Sequence, residues 1–484
     1  MRLPQIHRIR RLDAQPAAAK PKPLFKLHAA CVAVFAAIAC SASPAFAEGD
    51  VDSDAPASTL LGDVGGLRPA LARFGVTVDL SEVSEWLQNA RGGIKTGNRY
   101  HGLTTLTLGV DTAQAGMWQG GSFNVSALEI HGRQLSPKYI GSLQTASGIE
   151  AIGGPRLWEL WYEQKLGDGA DKAPHQGLSV RVGQQSVDQE FMVSEYATTF
   201  VGTAFGWPAL TSADLPAGGP AYPLSGLGVR VQLALADSTR LLVGAFAGDP
   251  ADTRTQDPQK ANDHGTTFSL NGGTFYIAEL QHSLPVGETG KAGTYKIGAW
   301  YHNQHFADTR FDAAGLSLAD PSSNGSPRQH AGNWSVYAVA DQTVWQEERN
   351  GPRALNLFAR AMGAPGDRNL ISFSANLGLT LNAPFAGRDN DVFGIAVAYA
   401  KVGRHSRTFD ADTNAFSVSR LPVRRDETFI EATYQLQITP WWQLQGVLQH
   451  TVRPGVGGVD PGDATNTRRI PNSTVLGLRT TITF

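Results

Sequence analysis

Ser473-Thr474-Val475-Leu476-Gly477-Leu478-Arg479-Thr480-Thr481-Ile482-Thr483-Phe484 ends the chain. Counted back in steps of two, one face carries Phe484, Ile482, Thr480, Leu478, Leu476 and Thr474. The other carries Thr483, Thr481, Arg479, Gly477 and Val475. A β-strand has period two, so this segment has one apolar face and one polar face bearing a charge. Two structures use such a strand. One is a membrane barrel, with lipid outside and water inside, closed by a strand with an aromatic C-terminus. The other is a soluble all-β domain with a half-buried last strand. The rest of the chain decides between them.

The same alternation recurs upstream. Leu106, Leu108 and Val110 alternate with Thr105, Thr107 and Gly109, and Leu178, Val180 and Val182 with Ser179, Arg181 and Gly183. Ile371, Phe373, Ala375, Leu377, Leu379 and Leu381 stand against Ser372, Ser374, Asn376, Gly378 and Thr380, a length that suits a tilted membrane strand. Strands are expected near 76–87, 100–111, 121–131, 156–165, 177–185, 227–236, 239–247 and 273–283. Further strands are expected near 293–303, 334–345, 354–362, 371–382, 392–401, 427–436, 441–452 and 473–484. That is about sixteen strands. Connections after odd-numbered strands are long, as at 132–155, 186–226, 248–272, 304–333, 402–426 and 453–472. The others are short, such as Asp237-Ser238 and Gln437-Ile438-Thr439-Pro440. Short turns on one rim and long loops on the other mark an outer-membrane barrel, with both termini at the periplasmic side. A β-sandwich has no reason to keep that asymmetry. Aromatic residues near strand ends, among them Trp345, Phe385, Phe393, Tyr399, Tyr434, Trp441 and Trp442, suit the headgroup level, although aromatics also favour strands generally.

The N-terminus reads as an export signal. Arg2, Arg8, Arg10, Arg11, Lys20, Lys22 and Lys26 precede an apolar run, Ala29 to Ala39, too short to span a bilayer as a helix. Ala45-Phe46-Ala47 then forms a small-x-small cleavage site, which makes 1–47 a signal peptide. A weaker pattern, lipidation at Cys40, has Ala where Leu is usual. Of the 41 Lys+Arg and 43 Asp+Glu in the 484 residues, the signal holds seven bases and one acid, so the mature net charge is about −8. Both cysteines, Cys31 and Cys40, leave with it, so the mature chain needs no disulfide. Residues 48–75 form an N-terminal periplasmic segment in which Leu67, Leu71 and Phe74 predict a short helix stopped by Gly75. The barrel then occupies 76–484.

No basic patch suggests nucleic acid, and no motif calls for a cofactor. His302 and His305 point to opposite faces of a strand, which argues against a metal site. Asp460-Pro461-Gly462-Asp463 lacks the ligand spacing of a calcium loop. A Ser-His-Asp triad leaves no local signature, so a barrel lipase stays open but unsupported.

Several longer stretches resemble the carbohydrate-selective porins of the OprB family. They include Phe205-Gly206-Trp207-Pro208-Ala209-Leu210, Asp214-Leu215-Pro216-Ala217-Gly218-Gly219-Pro220-Ala221-Tyr222-Pro223, Ile130-His131-Gly132-Arg133, Tyr337 to Gln342, Phe358-Ala359-Arg360-Ala361, Asp391-Val392-Phe393-Gly394, Pro440-Trp441-Trp442 and Leu476 to Ile482. Gly62-Asp63-Val64-Gly65-Gly66-Leu67 fits too, except that Val64 stands where that family usually has Trp. The resemblance covers residue 60 to the end. It implies a barrel of the Gram-negative outer membrane that passes glucose and related small carbohydrates by diffusion and is not an enzyme. A general diffusion porin for small solutes is the alternative. Implied partners are carbohydrates, outer-membrane lipid and, through the strand ending in Phe484, the barrel-assembly machinery. Monomer and trimer both remain open.

With the apolar face assigned to lipid, the lumen receives Glu159, Trp161, Glu163, Arg181, Arg230, Glu279, Lys296, Asp341, Arg360, Glu431 and Arg479, with Gln443, Gln445 and Gln449. Charges on the lipid face would cost roughly 2–4 kcal/mol for Arg or Lys at midplane. Carboxylates accept from sugar hydroxyls, guanidinium groups donate to them, and an indole can stack on a pyranose. The alternative for each charge is pairing with a neighbour or solvation of the pore. The connection 186–226 carries Phe191, Tyr196, Phe200, Phe205, Trp207 and Tyr222, too much apolar surface to leave in water. It is expected to fold into the lumen, with Trp207 joining Glu159, Trp161, Glu163, Arg181, Arg230, Glu279, Asp341 and Arg360 in a substrate channel.

Overall fold

β16 (Ser473–Thr483) pairs antiparallel with β15 (Trp442–Val452) on one edge and with β1 (Val76–Arg91) on the other, so the sheet closes on itself. The computed structural model describes residues 58–167, 177–252, 257–284, 291–348, 351–417 and 420–484. The expected signal peptide lies outside them. Between the closing strands run β2 (Gly97–Asp111), β3 (Gly121–Gly132), β4 (Gly154–Leu166), β5 (Leu178–Gln185), β6 (Gly226–Ala236), β7 (Thr239–Ala247) and β8 (Thr274–Leu284). They are followed by β9 (Gly293–Asp312), β10 (Pro327–Gln346), β11 (Ala354–Gly363), β12 (Ile371–Asn382), β13 (Val392–Val402) and β14 (Asp426–Thr439). Each strand pairs with its sequence neighbour, giving a closed sixteen-stranded antiparallel barrel. Closure leaves no unpaired edge, which is what backbone amides in hydrocarbon require.

The strand pattern sets the outer surface. Trp86 faces Tyr100 across β1–β2 and Tyr301 faces Trp334 across β9–β10, all exposed toward the extracellular rim. Trp118, Phe123, Tyr295, Trp345, Phe385 and Phe393 are exposed toward the periplasmic rim. These two girdles bracket the apolar band. At the periplasmic rim α1 (Leu67–Ala72) sits beside the seam. The Arg68 guanidinium donates to the carbonyl of Phe484, the Leu60 amide donates to the Thr483 carbonyl at 2.8 Å, and the Phe484 amide to the Leu80 carbonyl at 2.9 Å.

Two long connections differ from the sequence reading. Residues 304–333 are mostly not loop: β9 and β10 are 20 residues each and continue as a paired hairpin, with Ala307 opposite Gln329 and Phe306 opposite His330. Above the membrane no lipid demands an apolar face, so the amphipathic signal ends while the pairing continues. Residues 403–425 contain a helix, α4 (Arg404–Phe416); the shorter α2 (Ala209–Asp214) and α3 (Pro258–Ala261) lie in earlier loops. α4 has few apolar residues to show a period. It is held to the hairpin by side chains: Arg310 Nε donates to Asp412 at 2.7 Å, Ser317 donates to Asp412 at 2.7 Å, and His405 and His330 each lie 2.9 Å from Asp308.

Candidate functional site: a constriction built by an inward loop

Residues 186–225 join β5 to β6 by way of the barrel interior. Phe191, Met192, Trp207, Leu210 and Leu215 are buried in one cluster with the inward-facing Phe246, Phe275 and Trp300 of β7, β8 and β9. Phe200 and Phe205 form a second cluster with Phe358 of β11 and Phe429 of β14, the Phe200 and Phe205 rings lying 4.8 Å apart. Each fully buried ring of this kind contributes roughly 1.5–3 kcal/mol. This also explains a departure from simple alternation. β7 and β8 point Leu242, Phe246, Phe275 and Ile277 inward, because the lumen at that height holds a loop core and not water.

A loop of short 3-10 turns leaves backbone groups without partners, and buried ones must find them. The wall charges supply them. The Arg360 guanidinium donates to the carbonyls of Met192 (2.9 Å), Ala204 (2.7 Å) and Gly206 (2.7 Å), and to Asn376 Oδ1 (2.9 Å). Glu279 accepts from the Met192 amide at 2.7 Å and the Tyr337 hydroxyl at 2.8 Å. Asp341 accepts from the Ser194 hydroxyl at 2.5 Å and the Glu195 amide at 3.0 Å. Glu431 accepts from the amides of Val201 and Gly202 at 2.7 and 2.9 Å, Lys296 donates to the Val193 carbonyl at 2.7 Å, and Gln445 donates to that of Thr199 at 2.8 Å. Glu279, Asp341 and Arg360 therefore face loop backbone. Trp207 is 7% exposed and its indole N–H donates to the Gly218 carbonyl at 2.8 Å, so it packs in the loop core and offers no face to a solute.

The other five candidates come together on β4, β5 and β6. Glu163 accepts from Arg181 at 2.7 Å and from Arg230 at 3.2 Å. Both guanidinium groups also meet Glu190 of the loop, Arg230 Nε at 2.8 Å and Arg181 Nη1 at 3.1 Å, and Arg230 donates to the Ser179 hydroxyl at 2.6 Å. The Arg181 guanidinium lies over the Trp161 ring at 3.9 Å from its centroid. Glu159 accepts from the Ser186 amide at 3.0 Å, where the loop leaves the wall. Within this cluster Arg181 and Arg230 balance Glu163 and Glu190, while Glu159 adds a third carboxylate beside Trp161, whose indole N–H donates to it at 3.4 Å. Glu190 escaped the sequence reading, which weighed strands; its signal was a carboxylate inside an apolar loop. Gln189, Glu195, Thr198 and Ser212 are the loop's exposed polar side chains.

A second connection, 133–153, also turns inward, which the sequence reading did not anticipate. Glu427 accepts from the amides of Leu143 (2.9 Å), Gln144 (2.7 Å) and Gly455 (2.7 Å), and Gln449 donates to the Ala146 carbonyl at 2.8 Å. The two loops meet where the Gly148 amide donates to the Val201 carbonyl at 2.8 Å. Burial pushes the Glu150 carboxyl up, though it accepts from the Ser136 amide and hydroxyl at 2.7 and 2.6 Å. Arg479, placed in the lumen by alternation, donates to Glu85 at 2.6 Å.

A closed barrel of amphipathic strands whose lumen is narrowed by inward loops is a porin of the Gram-negative outer membrane. The chain belongs to the carbohydrate-selective porin, OprB family: that family's model matches residues 95–484. It is similar to Porin B of Pseudomonas aeruginosa, at 26% identity over 426 residues, covering 84% of this chain and 88% of that one. Its fold is shared with the high-pH structure of Pseudomonas putida OprB (TM-score 0.76, 24% identity, 89% of this chain and 99% of that one). The low-pH structure of the same protein aligns with a TM-score of 0.53 at 19% identity, covering 89% of this chain and 100% of that one.

Proposed function

We propose that this porin gives passive, sugar-preferring diffusion of glucose and related small carbohydrates into the periplasm. The observation that carries the reading is the neutral cluster of Arg181, Arg230, Glu163 and Glu190 beside Trp161. Two guanidinium groups matched by two carboxylates offer donors and acceptors while leaving little net field to concentrate ions. Hydroxyl-rich neutral solutes can exchange hydrogen bonds with the cluster's half-buried members, Arg181 and Glu190, which the buried Arg230 and Glu163 hold in place, and the indole supplies an apolar face. The remaining candidates, Glu159, Glu279, Asp341, Arg360 and Trp207, serve by fixing the loop that narrows the channel. Planar-bilayer conductance titrated with glucose, other hexoses and polyols tests the reading. The expected result is saturable block of the ion current by glucose, weakened in Arg181→Gln. Current that falls only with solution viscosity, alike for every sugar, would instead favour a general diffusion pore.

A further inference from the structure

Three cations stand together on the outer wall, away from the pore. β13 turns Phe393, Ile395, Val397, Tyr399 and Lys401 outward, and Lys401 is exposed at its extracellular end. Arg407 of α4 and Arg425 of the returning segment, both exposed, meet Lys401 around a recess of about 440 Å³ that also includes Tyr399 and Asp426. Neighbouring charges are already engaged: Arg424 with Asp410 at 2.8 Å, Arg310 with Asp412 at 2.7 Å, and Asp426 with Arg453. Among the described residues no ion pair involves Lys401, Arg407 or Arg425. The recess therefore presents three positive charges whose one nearby carboxylate is spoken for.

Below the cations the wall is apolar. The Phe373 ring lies 6.4 Å from that of Tyr399, and Ile395 and Ile430 are exposed on the same outer face. A cationic recess at the rim directly above an apolar band matches an amphiphile with an anionic head and hydrocarbon tails. A water-soluble anion would use only the upper half. Guanidinium groups hold phosphate oxygens in a fork, and basic residues at a bilayer surface attract anionic lipid. We infer that this recess binds the phosphate of an outer-leaflet lipid, whose acyl chains lie along Tyr399, Phe373 and Ile395. Lipid on this site would also brace α4 against the barrel from outside, opposite its Arg310–Asp412 contact.

Native mass spectrometry of the full-length protein in detergent tests this with three probes: lipid A, dephosphorylated lipid A, and inorganic phosphate. Lipid A is expected to be retained about tenfold more strongly than its dephosphorylated form, and millimolar phosphate is expected not to displace it. The triple variant Lys401→Gln/Arg407→Gln/Arg425→Gln should retain about tenfold less lipid A, with pore conductance unchanged as the check on folding. A control of equal charge change, Arg91→Gln/Lys291→Gln/Arg328→Gln, should stay close to wild type. Equal retention of both lipids by the wild-type protein, which requires no variant, overturns the proposal. So does equal loss in triple variant and control, or release of lipid A by inorganic phosphate alone, which would make the recess a free-anion site.

Discussion

Arg360 illustrates how a pore-wall charge is used in this protein. A buried guanidinium that donates to three loop carbonyls cannot be replaced by a shape of similar size, because each orphaned carbonyl costs about 1–3 kcal/mol. Arg360→Met should therefore lower the temperature at which the folded barrel loses its compact gel mobility and give larger, noisier single-channel currents. Arg360→Lys should recover only part, since an ammonium lacks the fork. Unchanged melting and conductance in Arg360→Met would remove its role as an anchor. Asp214, at the end of α2, gives a pH-dependent case. Burial pushes its carboxyl well above the ordinary range, against a hydrogen bond from the Ile371 amide at 3.1 Å. A raised folded value means that the stabilising, protonated form is fully present below the unfolded value, about 3.9, and is lost as pH rises through the folded one. Asp214→Asn should thus melt higher than wild type at neutral pH, with the gap closing as pH falls toward about 4. A gap that is constant with pH would contradict this. Neither role was legible from the chain: alternation places Arg360 inward but does not say what it meets there.

At the scale of elements, the connection 186–225 decides the pore. Its aromatics announced that it had to be buried, and the lumen was the site available. Replacing residues 194–217 by a short Gly/Ser linker should raise single-channel conductance and remove sugar block, read in the same bilayer. If a correctly folded deletion conducts and blocks like wild type, the narrowing lies elsewhere, with 133–153 the next element to test. That second loop was less visible because its contacts are spread: Glu427 and Gln449 hold it from the wall and Ser136 braces it from within by hydrogen bonds, with no aromatic run. α4 was invisible for a related reason, since Asp308 and Arg310 hold it, through His405 and Asp412, from a hairpin distant in sequence.

The whole barrel depends on its seam. β1 and β16 are the most distant strands in sequence, yet pair from Ser81 opposite Thr483 to Arg91 opposite Thr474. The last residue adds its amide to Leu80 and its carbonyl to Arg68. Deleting Phe484 removes few folded contacts, so barrel already folded in detergent should melt within about 3 kcal/mol of wild type, the range of two hydrogen bonds of which one is to a guanidinium. Its level in outer membranes should fall much further, as read by immunoblotting of membrane fractions, if the terminal strand is what the assembly machinery receives. Equal outer-membrane levels for the two chains would argue against that partner.

The sequence alone determined the strand number, the face each strand turns to lipid, and which rim bears the long connections. These follow from period-two alternation and connection length, which are local properties repeated many times. Only the tertiary structure decided what the inward charges do. Glu163, Arg181 and Arg230 meet each other and Glu190, whereas Glu279, Asp341, Arg360 and Glu431 meet backbone amides and carbonyls of a loop. Both sets look alike along a strand. What separates them is whether a loop carboxylate or an unpartnered peptide group stands opposite, and that depends on where a connection far away in sequence comes to rest.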